Sequence, residues 1–299
     1  MADASSVQET QAEHVSFGRR VYKGVKMFVN EIEEIQTMNV KDDDIFVCTF
    51  PRSGTTFLQE MVYLIVTLDF DTANSKLLGA RVPFLDLKCD KLPYIQGIEV
   101  LEQMKSPRMI KTHLHHFLLP EQLQQGKGKI IYSVRNPKDS VISLYKLFHW
   151  INELERDSFD DFVEEFINGT GFACPWTRHV LEYWNKRNDD NVLFLKYEDI
   201  SKDRPATVRT IAKFLGRALA DDDVQKISDH CSIDNMRNNK MTNWSHLHRF
   251  KKLNEESPGR FINKGKLGGW HEVLTDDQSS RIDKMIDEVE QAGLKIAHT

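Results

Sequence analysis

The chain of 299 residues is 40% hydrophobic and 28% charged, the balance of an ordinary globular protein rather than a fibrous or disordered one. Its formal net charge of −5 argues against a broadly basic nucleic-acid-binding face, so any anion site must be local. No apolar run approaches the ~20 residues that cross a bilayer, and no charged-then-apolar signal segment opens the chain. With Cys48, Cys89, Cys174 and Cys231 widely spaced and no C-x-x-C pair, reduced thiols, a cytoplasmic location and no membrane partner are expected.

Residues 1–14 are polar and read as a disordered tail, leaving 15–299 as one domain without repeats or linkers. The acidic run Asp42–Asp44 reads as a solvated cap. It precedes a strand-like run over 45–50, a turn through Pro51, Arg52, Ser53 and Gly54, and a helical apolar pattern over 55–67. Strand, tight turn and helix N-terminus make an anion site, because the first helical N–H groups have no partner within the helix. Glycine lets the backbone approach closely, and Arg52 adds planar donors suited to phosphate or sulfate. The turn lacks the G-x-x-x-x-G-K-[ST] pattern of nucleotide triphosphatases.

A second strand, over 107–112, ends on Lys111 and Thr112, with His113 immediately after it. No carboxylate or cysteine in this segment completes a metal shell around His113 and His115, so no metal is expected, and His115 and His116 read as exposed or pocket-lining. A third strand, over 129–134, runs into Arg135, then Asn136 as N-cap and Pro137 as first residue of a helix over 137–151 that carries Ser143. Helical patterns follow over 158–168 and 176–187, a strand over 191–196, and helices over 205–215 and 276–291. The tract 240–262 reads as a lid loop. Phe261-Ile-Asn-Lys-Gly-Lys-Leu-Gly-Gly-Trp270 is a basic glycine-rich loop suited to folding over a phosphate.

Alternation of this kind predicts an α/β single domain, a P-loop-like parallel sheet of about five strands flanked by helices. Arg52, His113 and Arg135 each follow a different strand immediately. All three are therefore expected on one carboxyl edge, where such sheets bind ligands.

Phe50-Pro-Arg-Ser-Gly-Thr-Thr56, Arg81-Val-Pro-Phe-Leu85, Lys111-Thr-His-Leu114 and Val134-Arg-Asn-Pro-Lys-Asp139 occur in that order. Leu195-Lys-Tyr-Glu-Asp199, Met241-Thr-Asn243 and Lys264-Gly265 with Trp270 follow. This series resembles the cytosolic sulfotransferases, which use 3′-phosphoadenosine 5′-phosphosulfate (PAPS) and release adenosine 3′,5′-bisphosphate (PAP). The resemblance covers about Lys23 to Thr275.

It implies sulfuryl transfer to a small hydroxyl or amine acceptor without a metal. His113 is then the base, and Lys111 and Arg52 stabilise charge. Arg52, Ser53, Gly54, Thr55 and Thr56 hold the 5′-phosphosulfate, and Arg135, Ser143, Asn263, Lys264 and Gly265 lie at the 3′-phosphate. Phe57, Tyr197, Cys231 and Ile233 fall where the family contacts adenine. Phe84, Leu87, Leu147, Phe148, Phe172 and Trp244, with His113, line the acceptor pocket. Arg81-Val-Pro-Phe-Leu85 matches the phenol-using branch, which makes a phenol or phenolic amine the expected acceptor.

Departures from the family pattern are specific. Arg52 stands where the family has Lys, Phe57 where it has Trp, Cys231 where it has a hydroxyl residue, Ile233 where it has an aromatic, and Asn263 where it has Arg. His271, Asp276 and Ser280 replace the usual Lys, Val and Glu of its dimerisation motif, which weighs against the usual homodimer. A P-loop small-molecule kinase is the first alternative, but no P-loop lysine or Mg²⁺-binding carboxylate is placed for it. A non-catalytic nucleotide-binding relative is the second.

Overall fold

The computed structural model describes residues 19–28, 32–88, 97–151, 158–250, 261–262, 265 and 267–297. The expected tail at 1–14, residues 251–260 of the lid tract, and Asn263 and Lys264 lie outside them. Among the described residues there are six strands: β1 (Arg19–Tyr22), β2 (Val25–Phe28), β3 (Ile45–Thr49), β4 (Met109–Thr112), β5 (Lys129–Val134) and β6 (Val192–Lys196). The last four form a parallel sheet in the order β4-β3-β5-β6. Every residue of β3 is buried, as expected of a central parallel strand covered on both faces.

Alternation along β3 sends its side chains to two cores. Phe46 and Cys48 join a cluster with Tyr132 of β5 and with Leu144, Tyr183 and Ile286, on helices Pro137–Trp150, Trp176–Trp184 and Asp276–Gln291. Ile45 and Val47 join Leu58, Met61, Val208 and Ile227, on helices Thr55–Thr67, Arg204–Phe214 and Asp221–His230. The result is three layers: helices, sheet, helices. The predicted strands and long helices all appear, with ends displaced by at most a few residues.

Four ladder strands stand where about five were expected. The fifth position, beside β4, holds a single parallel bridge between Phe84 and Lys111. Lys111 N donates to Pro83 O at 2.8 Å, and Leu85 N to Lys111 O at 2.9 Å. Proline and the bend at Leu85 stop it from lengthening into a strand. β1 and β2 form a separate antiparallel ribbon. Its two-residue turn, Lys23 (φ 48°) and Gly24 (φ 85°), has the positive φ pair that matches strand twist.

Two sequence expectations are corrected. Asp44 is not a solvated cap: it is fully buried, and both its carboxylate oxygens accept from Arg108, one of them at 2.7 Å. His115 and His116 neither lie exposed nor line the cavity described below. Both are buried, because the chain leaves the strand conformation at Thr112 and enters a 3₁₀ turn over His116–Leu118. His115 Nε2 bonds the Ala173 carbonyl at 3.0 Å, and His116 packs edge-on against Tyr183.

Candidate active site

In the sheet order β4-β3-β5-β6, the chain leaving β3 turns to one side, toward β4, and the chain leaving β5 turns to the other, toward β6. That divergence opens a crevice at the carboxyl ends. A cavity of about 550 Å³ occupies it, lined by Arg52, Gly54, Thr55, Thr56, Phe57, Lys111, His113, Arg135, Ser143, Leu147, Tyr197, Ile233 and Gly265, among others. Most of the expected site residues therefore meet at one rim.

The anion end is built on the helix Thr55–Thr67. Its N-cap, Gly54 (φ 89°), offers no side chain to the first helical N–H groups, which stay available to a ligand. Gly54 is required twice, for its positive φ and because a Cβ there would stand 2.6 Å from Tyr197 Cδ2. Gly265 (φ 64°) is pinned likewise, since its Cβ would meet Ile233 Cδ1 at 2.3 Å. The backbone at Gly54 and Gly265 thus packs directly against the Tyr197 and Ile233 side chains.

Arg52 has φ 72°, an uncommon left-handed conformation for a side-chain-bearing residue, of the kind found at functional sites. Arg135 steadies it, donating from a guanidinium NH₂ group to the Arg52 carbonyl at 3.2 Å. Arg52 Nε in turn donates to Ser143 Oγ at 3.0 Å, and its terminal nitrogen to Phe261 O at 2.8 Å. Burial, and then Arg135, lower its pKa to about 10, which leaves it cationic at neutral pH.

The helix Pro137–Trp150 starts as the sequence predicts, with the Asn136 side chain accepting from Lys138 N. Asp139 lies 3.7 Å from Arg135 and accepts Gly268 N at 3.1 Å, tying the glycine-rich loop to the cation. Arg135 also lies 4.6 Å from the centre of the Tyr197 ring. Its Nε and the Ser53 hydroxyl are buried without partners among the described residues. Cys231 departs from the group: its thiol is fully buried in the apolar cluster behind the helix Thr55–Thr67 and does not line the cavity.

At the other end, His113 Nδ1 lies 2.9 Å from the Thr49 carbonyl. A carbonyl only accepts, so Nδ1 carries the proton and Nε2 keeps its lone pair. Burial first, then Lys111, hold the imidazole well below its ordinary 6.5, so it is neutral at pH 7. Its peptide is held from two sides: Asp86 Oδ2 accepts His113 N at 2.7 Å, and His179 Nε2 donates to His113 O at 3.2 Å. Tyr132 OH fixes the His179 tautomer from 2.9 Å. Lys111 Nζ lies 3.8 Å from the centre of the Phe84 ring. Burial lowers its pKa to about 8, with Asp86 pulling it upward.

Phe84 stands edge-on to His113, ring centres 5.3 Å apart, and clusters with Leu87, Phe28, Trp244 and Leu247. Phe28 links this cluster to Phe172 at 4.5 Å and Phe148 at 6.4 Å. The expected acceptor-pocket residues form one apolar wall beside the imidazole, with Leu147 lining the cavity itself. The sequence offered no pointer to Asp86, Phe28 or Thr49, whose places depend on distant partners. Among the described residues, no group of three His, Cys, Asp or Glu is placed to hold a metal ion, and no helix is long and apolar enough to cross a membrane.

The sequence matches the Sulfotransferase domain family over residues 42–293. It is 35% identical over 262 residues to sulfotransferase 1A1 of Rattus norvegicus, covering 87% of this chain and 88% of that protein. To the amine sulfotransferase of Oryctolagus cuniculus it is 31% identical over 265 residues, covering 86% and 84%. Among solved structures, retinol dehydratase in complex with androsterone and the inactive cofactor PAP superposes with a TM-score of 0.81 at 29% identity, over 89% of this chain and 86% of that one. Mouse sulfotransferase SULT7A1, complexed with PAP, gives 0.71 at 26% identity, over 91% and 95%.

Proposed function

Because the chain belongs to the sulfotransferase family, we propose that it uses PAPS to sulfate a small phenol or phenolic amine, with His113 as general base. The observation that carries this reading is the fixed tautomer of His113 in a cavity shared with Lys111, Arg52 and Arg135. A neutral imidazole with Nε2 free of protein partners among the described residues is set to take a proton.

The residues present fit PAPS. The uncapped helix N-terminus, the unpartnered Ser53 hydroxyl and Arg135 Nε, and the two glycines without room for a Cβ suit a nucleotide that carries anionic groups at both its 3′ and 5′ positions. When bound, PAPS supplies the sulfuryl group, which the acceptor oxygen captures as PAP departs. Arg52 and the amides of Ser53 to Thr56 hold the 5′ end. Arg135, Ser143 and the loop at Gly265 hold the 3′-phosphate, with Tyr197, Phe57 and Ile233 at the base. His113 Nε2 takes the acceptor proton, and Lys111 and Arg52 balance negative charge on the transferred oxygens.

Acceptor choice follows from the wall of Phe84, Leu87, Trp244 and Phe28, which is apolar and largely aromatic. It suits a flat ring lying against the imidazole. A phenol, with a pKa of about 10 like tyrosine, yields its proton to imidazole far more readily than an aliphatic alcohol does. Incubation with sulfur-labelled PAPS and a panel of phenols, amines, sterols and alcohols tests the proposal. Label is expected on simple phenols; label only on aliphatic alcohols would overturn the acceptor assignment, and label on nothing would overturn the activity.

A further inference from the structure

Given the sulfotransferase chemistry proposed above, we propose that Asp86 is a positioning residue for both Lys111 and His113, acting through its negative charge as well as its hydrogen bonds.

Asp86 follows the Pro83–Leu85 segment, which is clamped to β4 by the paired backbone bonds on either side of Lys111. That clamp carries the carboxylate to the end of β4. There Oδ2 accepts His113 N at 2.7 Å, and Oδ1 accepts the Thr112 hydroxyl. Thr112 Oγ1 then accepts Leu114 N at 3.0 Å. One carboxylate thereby organises the N–H groups of two successive residues as the chain leaves the strand, and sets the direction in which the His113 side chain projects.

Hydrogen bonding alone does not call for a charge here. An asparagine carbonyl would accept from His113 N equally well, and its amide would reach Thr112 Oγ1 without the cost of burying an anion. Asp86 is only 2% exposed, and burial raises its pKa to about 7. The compensating cation is Lys111, which is itself buried and faces Arg52, a second cation that disfavours its proton. The other titratable groups facing this pair are His113, held neutral, and the Cys48 thiol of β3, whose pKa burial drives far above the ordinary value. Among these, Asp86 is the one group whose charge favours protonated Lys111. A charged Asp86 keeps that lysine cationic where burial and Arg52 act to discharge it.

The test compares wild-type protein with Asp86→Asn, measuring turnover against pH with saturating PAPS and a phenol, and PAP affinity by calorimetry. The expected result is at least a tenfold loss of kcat at pH 7.5. The alkaline limb of the profile, set by loss of the Lys111 proton, moves at least one pH unit lower, while PAP affinity stays within about twofold. Unchanged kcat overturns the proposal. So does a loss of kcat with the alkaline limb in place, which marks a purely structural role. If Asp86→Asn does not fold, Thr112→Val replaces it. Removing one of the bonds that keep Asp86 ionised is expected to move the limb the same way by a smaller amount, and an unmoved limb overturns the proposal. Wild-type protein that labels no acceptor defeats the sulfotransferase assignment itself, whereas active wild type with an unshifted variant defeats Asp86 alone.

Discussion

The Thr49 carbonyl oxygen lies 2.9 Å from His113 Nδ1, so the last residue of one strand selects the tautomer of a histidine that follows its neighbour. Thr49 Oγ1 is in turn 2.6 Å from Thr55 Oγ1 in the first helical turn beyond the phosphate loop. His113 and the N-terminus of the helix Thr55–Thr67 are thus joined through one threonine.

Turnover should be bell-shaped in pH, with limbs displaced from ordinary values. His113 must be neutral to act, and burial lowers its pKa well below 6.5. Activity is therefore retained as pH falls through 6.5 and is lost only near the depressed value. Lys111 must be charged, and with its pKa lowered to about 8 activity falls as pH rises through that region. A kcat profile under saturating substrates checks both limbs. Asp86, whose pKa burial raises to about 7, protonates in the same range, so the limb is read together with the His113 ring signal followed by NMR; a ring that titrates at or above pH 6.5 contradicts the neutral buried imidazole.

Gly265→Ala should weaken PAP binding at least tenfold, since the new Cβ would stand 2.3 Å from Ile233 Cδ1. Adding Ile233→Val deletes that atom, and the next contact is at 3.5 Å. The double variant should recover part of the affinity. Full recovery is not expected, because alanine at φ 64° still costs about 1–2 kcal/mol. Calorimetric titration of PAP into the two variants and wild type decides it, and no recovery at all would show that the loop and Ile233 are not in contact.

Arg108→Met should destabilise the fold by about 3–5 kcal/mol, because it strands the buried Asp44 carboxylate without its cation. Arg108 also donates to Asn39 O at 2.8 Å and to Leu101 O at 3.1 Å. Neutralising the stranded partner in Arg108→Met/Asp44→Asn should restore part of the loss, and urea denaturation measures both. A double variant less stable than the single would contradict the buried pair.

Most of the site was legible because its cations sit at strand ends, and a strand end is visible in sequence as an apolar run that stops. Arg52, His113 and Arg135 were found that way, and the capped start at Asn136-Pro137 fixed the helix that carries Ser143. What was not legible depends on partners remote in the chain. Asp86 lies one residue beyond the Arg81–Leu85 run and meets a peptide 27 residues later, so no local pattern singles it out. Asp44 misled for the same reason, until Arg108 neutralised it. Phe28 sits in a two-strand ribbon too short for periodicity to reveal. His115 and His116 are buried instead of exposed because the 3₁₀ turn that follows the strand end at Thr112 has no local sequence pattern to announce it.

The most direct measurement is made on His113→Ala, combining transfer of label from PAPS to a phenol with calorimetric binding of PAP. Transfer should fall at least ~100-fold, within the span a general base contributes, while PAP affinity stays within about twofold of wild type. A variant that still transfers at near wild-type rate, or one that loses PAP together with activity, would contradict His113 as the base.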